Sequence, residues 1–216
     1  MRLQNLTKTI HYNLSTSEVI KNNVNSSLRI DEIKNTNKPD TLQSLTINML
    51  PTTKCWLFEH ENPEKEFLVT SMKVDKTILY LSEETKELFI IAIELKTLFK
   101  IKQLNECQQK LNDSLSYLSI FLATNNHMKE IYSDYQVKFR LAIFCNSENI
   151  SPQHPDYNSS LCQDYILFQH GTNKQFMYDI NSPSLGYLKV PSIRILEPKL
   201  EHIEIDFQTL LEKLIY

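Results

Sequence analysis

The residues best suited to chemistry in this chain are two carboxylates and a lysine. Glu94-Leu95-Lys96 follows an apolar run, Leu88 to Ile93, and Asp75 stands upstream across what reads as a tight β-hairpin. A run rich in β-branched residues and bounded by turn-formers reads as a strand buried on both faces. Charges at the end of such a strand need a physical reason. Residues that face each other across an antiparallel pair have numbers with a constant sum. A turn centred between Glu84 and Thr85 then places Thr77 opposite Ala92, Leu79 opposite Ile90 and Leu81 opposite Leu88, with Ile78 opposite Ile91 and Tyr80 opposite Phe89. Continued by one step, the same register sets Asp75 opposite Glu94.

Directly opposed side chains have Cβ atoms about 4.5 to 5.5 Å apart, and like charges there are destabilising unless something bridges them. A divalent cation does so, because Mg²⁺ takes one or two carboxylates and fills its octahedron with water and substrate phosphate. The strand period of two puts Lys96 on the face of Glu94, and the carbonyl of Leu95 is a further oxygen ligand. A bound Mg²⁺ or Mn²⁺, a water that it acidifies and a cation for developing charge are the parts needed for phosphodiester hydrolysis.

These residues resemble the PD-(D/E)xK nuclease core: Asp75, eighteen intervening residues, then Glu94-Leu95-Lys96 after a hydrophobic strand. The resemblance spans roughly residues 54 to 146. It implies that Asp75 and Glu94, with the Leu95 carbonyl, bind the metal, that Lys96 positions or activates the attacking water, and that a helix and a further strand follow. It also implies DNA as substrate and a bacterial defence or restriction setting, while the small acidic chain suggests work with a protein partner or as a homo-oligomer. Cys107-Gln108-Gln109-Lys110-Leu111 and Ser114-Leu115 are similar to the Gln-Leu-bearing helix of some defence-associated members, with Lys110 where Gln is expected. Gln108 and Lys110 are accessory candidates from that helix. Many members add an acidic residue on an early helix, for which Glu18 and Glu32 both qualify. Val74 stands where the family motif often has Pro.

Elements must position these groups. The first 45 residues carry modest helical periodicity from Ser17 to Ile33, and a linker follows at residues 35–40. Strands are expected over 54–60 and from Glu66 through a bend at Asp75 to Leu81. The helix over 101–123 carries Leu104, Leu111, Leu115, Leu118 and Leu122 as an apolar stripe, the pattern of a face packed on a sheet. A strand over 137–145, a polar loop to Ser160 and strands over 162–169, 175–179, 192–196 and 202–205 come next. A helix over 207–214 with Asp206 as N-cap closes the chain. The expected fold is α/β: a single domain with a mixed central β-sheet flanked by helices and a restriction-endonuclease-like core. It has an N-terminal helical segment (1–45), the core (54–146) and C-terminal strands and helix (147–216).

Composition sets the outer bounds. At 216 residues, 41% hydrophobic and 23% charged, the chain is long enough to bury a core. Its two glycines, Gly171 and Gly186, exclude a Gly-rich phosphate cradle. A net charge of −3 gives no global attraction to nucleic acid, so contact with DNA falls to local lysines, of which Lys100 and Lys102 follow the E-L-K strand. Lys138 and Arg140 read instead as a solvated face. Cys55, Cys107, Cys145 and Cys162 form no C-x-x-C pair and read as reduced core thiols. No histidine spacing suggests zinc. Residues 1 to 8 lack an apolar leader core and no stretch reaches membrane-span length, so a cytoplasmic chain without a membrane association is expected. The alternative function is a catalytically inactive subunit of the same fold, serving as an interaction module in a larger, ATPase-containing complex.

Overall fold

The computed structural model describes residues 20–22, 27–31, 41–49, 55–58, 73–82, 84–124, 136–182 and 185–215. In chain order the elements are β1 (Ile20–Asn22), β2 (Ser27–Asp31), β3 (Ser44–Asn48), β4 (Cys55–Phe58), β5 (Lys76–Ser82), β6 (Glu87–Lys100), α1 (Ile101–Thr124), β7 (Gln136–Asn149), a 3₁₀ turn (Pro155–Asn158), α2 (Ser160–Gln169), β8 (Phe176–Ser182), β9 (Gly186–Leu196), β10 (His202–Asp206) and α3 (Phe207–Ile215). Seven strands make one mixed sheet in the order β1-β4-β5-β6-β7-β9-β8, and β10-β3-β2 make a second. The architecture is mixed α/β.

β6 is the axis of the large sheet. It pairs antiparallel with β5 on one side and parallel with β7 on the other. The pairs Thr77 with Ala92, Ile78 with Ile91, Leu79 with Ile90, Tyr80 with Phe89 and Leu81 with Leu88 are those the hairpin arithmetic predicts. Parallel pairing of β6 with β7 requires a crossover, and α1 supplies it. Both faces of the sheet are covered. On one, Leu79, Leu81, Leu88, Ile90, Ala92, Leu141 and Ile143 pack with Leu104, Cys107, Leu111, Leu115 and Leu118 of α1 and with Cys162 and Tyr165 of α2. On the other, Ile78, Phe89, Ile91, Ile93 and Phe144 pack with Leu28, Ile30, Leu45 and Ile47 of the small sheet and with Phe207, Leu210, Leu211 and Leu214 of α3. Two apolar coverings explain why the sequence of β6 is hydrophobic without alternation.

Several expectations are corrected. The segment from Ser17 to Ile33 is not helical where it is described: residues 20–22 and 27–31 are strands. In β2 the two-residue alternation of buried Leu28 and Ile30 with exposed neighbours outweighs the weak helical spacing. Residues 162–169, expected as a strand from Tyr165-Ile166-Leu167-Phe168, lie in α2. The Ser159 hydroxyl accepts from the Cys162 amide at 3.2 Å, capping a helix that buries Cys162 and Tyr165 one turn apart. Glu94-Leu95-Lys96 does not end its strand, because pairing with β7 carries β6 on to Lys100. What ends near Glu94 is the pairing with β5, whose last pair is Lys76 with Ile93. β7 likewise runs to Asn149, into the expected loop. Of the expected strand over 66–81, residues 66–72 lie outside the described residues, and Asp75 sits at a bend just before β5. All four cysteines are free and buried, as read from the sequence.

Leu111 is fully buried at the centre of the α1 contact. Leu111→Ala is expected to destabilise the fold by about 2 to 5 kcal/mol, read as a lowered urea midpoint with unchanged slope.

Candidate active site

The site forms where β5 leaves β6 while β7 still pairs. Glu94 continues the helix-facing alternation of Leu88, Ile90 and Ala92, while Asp75 lies at the bend before β5, one residue beyond the last pair of Lys76 with Ile93, so the expected pairing of Asp75 with Glu94 is not part of the ladder. Asp75 is held at two points. The amide of the preceding Val74 donates to the hydroxyl of Ser114 on α1 at 2.9 Å, and the Asp75 carboxylate accepts from the Leu95 amide at 2.6 Å. In a strand the N–H and C=O of one residue point to the same edge. The Leu95 carbonyl therefore faces the Asp75 side as well, beyond the last β5 pair.

Glu94 is fully buried, which for a carboxylate demands compensation. Two lysines provide it. Lys96, from the same face of β6, and Lys110, from α1 at 2.5 Å, both bind Oε1 of Glu94. Oε2 is buried and accepts no hydrogen bond among the described residues. The surroundings are shaped by α1, on which Cys107, Lys110 and Ser114 recur at helical spacing and face the sheet.

Electrostatics follow from this packing. Burial, and next the neighbouring Glu94 charge, push the Asp75 carboxyl up to about 6, against the Leu95 hydrogen bond and the two lysines. Burial disfavours the Lys96 ammonium, yet the Glu94 carboxylate overrides it and holds Lys96 above its ordinary value. Burial, followed by Glu94, pushes the Cys107 thiol well up, so this cysteine is inert packing beside the site.

The structure thus brings Asp75, Glu94, Leu95, Lys96 and Lys110 together and separates the rest of the expected set. Gln108 turns away, donating to the Asp179 carbonyl of β8 at 2.7 Å. Lys100 lies four residues beyond Lys96 along β6, roughly 13 Å at the strand rise. Lys102 pairs with Glu106 at 3.5 Å on exposed surface. Both belong to a solvated face. Glu18 and Glu32 lie outside the described residues. Arg140 donates to the carbonyls of Leu214 and Phe139 and so ties β7 to α3. Lys138 pairs with Glu87 at 3.7 Å. Ser114, missed in the sequence as a positioning group, sits four residues after Lys110 on one helical face, and that spacing is the signal that finds it.

Among the described residues no three His, Cys, Asp or Glu side chains cluster for a metal ion. The acidic donors here are a pair, supplemented by a backbone carbonyl. The unpartnered buried oxygen of Glu94 fits a cation ligated by that pair, since a hard divalent ion takes carboxylate and carbonyl oxygen.

The raised Asp75 carboxyl has a defined pH signature. It binds its proton more tightly in the folded than in the unfolded chain, so its contribution is fully present below 3.8 and is lost as pH rises through about 6. Asp75→Asn is neutral throughout and keeps an acceptor for the Leu95 amide. With metal chelated, the stability of Asp75→Asn relative to the native chain is expected to rise by about 1 to 3 kcal/mol between pH of about 4 and 7. Urea denaturation across that range measures it, and a difference independent of pH contradicts a raised carboxyl.

No helix among the described residues is long and apolar enough to cross a membrane. No protein-family model, no curated protein and no solved structure matches the chain.

Proposed function

We propose that this protein is a Mg²⁺- or Mn²⁺-dependent nuclease of the PD-(D/E)xK type, hydrolysing phosphodiester bonds in DNA in a defence or restriction setting. The observation that carries the reading is the fully buried Glu94 carboxylate, one oxygen without a hydrogen-bond partner among the described residues, placed with Asp75 and Lys96 at the point where β5 ends its pairing. The antiparallel order β4-β5-β6 followed by α1 and parallel β7 supports a restriction-endonuclease-like core. Asp75, Glu94 and the Leu95 carbonyl are the groups that would hold the metal. When bound, the metal supplies a Lewis acid for the phosphoryl oxygen and lowers the pKa of water.

The chain's own groups do the rest. Ser114 and the Leu95 amide fix Asp75, and the two lysines fix the Glu94 carboxylate through Oε1, leaving Oε2 as the ligand atom. Lys96 carries a firmly retained charge with which to orient the attacking water or stabilise charge developing on the phosphate. Burial by α1 and β7 keeps the screening low, which strengthens each of these interactions.

One observation favours the second reading, a non-catalytic interaction subunit. Lys110 already balances the second carboxylate charge, so the cluster is neutral with no metal. Cleavage of plasmid and oligonucleotide DNA in Mg²⁺ or Mn²⁺ separates the two. Asp75→Ala and Lys96→Ala are each expected to lower the rate on the order of 10²-fold or more. Activity indifferent to both substitutions, or absent from the native chain, contradicts the nuclease reading and leaves the interaction subunit.

A further inference from the structure

Lys110 does more than the nuclease reading requires. Glu94 already has an ammonium partner in Lys96, one strand step away on the same face. Lys110 adds a second from a different element, and its reach is set by a rigid support. Cys107, Leu111 and Leu115 on the same helix are buried in the core, and Ser114 bonds the amide of Val74. The Lys110 side chain is mostly buried, at 19% exposure, against a Glu94 side chain with none.

Formal charges then decide what the site admits. Asp75 and Glu94 bring two negative charges, and Lys96 and Lys110 bring two positive ones. A divalent cation entering alone would leave the buried cluster with an excess of +2, and Lys110 would sit on the same carboxylate whose other oxygen holds the ion. Like charges that close in a poorly screened setting repel strongly. With a neutral side chain at position 110 the excess would be +1. A nucleic-acid phosphate supplies the missing negative charge and gives Lys110 a new partner when the metal competes for Glu94.

We infer that Lys110 makes metal binding conditional on nucleic acid, because its ion pair with Glu94 occupies the charge that the cation needs and is released to a phosphate. The inference rests on the nuclease reading and concerns the regulation of that same site. Lys110 is on this account a positioning residue, coupling two ligands through the Glu94 carboxylate. Coupling of this kind is reciprocal, so the metal must tighten nucleic-acid binding by the factor by which nucleic acid tightens metal binding.

The test is Mn²⁺ affinity, read by electron paramagnetic resonance of the free ion, for the native chain and Lys110→Gln. Each is measured alone and with a DNA duplex whose phosphorothioate linkages resist cleavage. Lys110→Met, which keeps the apolar stem, is measured in parallel so that the result does not hang on one variant's folding, and circular dichroism checks both. Without DNA, the variants are expected to bind Mn²⁺ at least about tenfold more tightly than the native chain. DNA is expected to raise the native affinity by about tenfold or more and that of the variants by clearly less. Equal Mn²⁺ affinity of native chain and variants without DNA, or an equal effect of DNA on all three, overturns the inference while leaving the nuclease reading intact. If no form binds Mn²⁺ with DNA present, the nuclease reading falls and this inference falls with it.

Discussion

A carboxylate with no exposure, in the middle of the longest pairing of the large sheet, is the constraint on which the rest of the structure depends. Isolating such a charge from water costs several kcal/mol, and removing one partner of a buried pair typically costs about 3 to 5 kcal/mol. Glu94 is retained in that position only because three elements converge on it. β6 brings Lys96, α1 brings Lys110, and the bend before β5 brings Asp75 alongside. The compensation is incomplete, with two lysines on one oxygen and, among the described residues, no hydrogen-bond partner on the other. An arrangement built only for stability would be better served by an apolar residue of similar volume.

The layering explains how the fold supports this charge. Apolar cover on both faces buries β6 from Leu88 to Leu95, so the Glu94 side chain cannot reach solvent by a local shift, while Lys96 lies at the edge of that cover and stays partly exposed. α1 begins one residue after β6 ends and returns across the same face, which brings Lys110 and Ser114 back over the strand that precedes it. The site is therefore built mainly by the β6-α1-β7 crossover, with Glu94, Leu95 and Lys96 on a strand, Lys110 and Ser114 on a helix, and Asp75 at the bend before β5.

Much of this was legible in the sequence, for particular reasons. The hairpin register could be computed because its interior pairs are apolar on both faces, and a slip of one residue would turn every side chain over. The face of α1 could be read from Leu104, Leu111, Leu115 and Leu118. Other features needed tertiary information. Lys110 was placed at the site's edge by resemblance, but its ion pair depends on how α1 rolls on the sheet. α2 was misread because Tyr165 to Phe168 favour strands locally, whereas the Ser159 cap and one-sided burial select a helix. The length of β6 was underestimated because its last residues are held by β7 alone. The charges at Glu94 and Lys96, read as the end of a strand, mark the end of one partner instead.

The central claim is that Asp75 and Glu94 share one divalent cation. The most direct measurement is anomalous diffraction from crystals grown with Mn²⁺ and a cleavage-resistant DNA duplex. The account predicts a single strong peak within about 2.1 Å of an Asp75 oxygen, Glu94 Oε2 and the Leu95 carbonyl, with Lys110 moved from Glu94 to a phosphate. A well-ordered duplex with no peak between the two carboxylates, and both lysines still on Glu94, would contradict it.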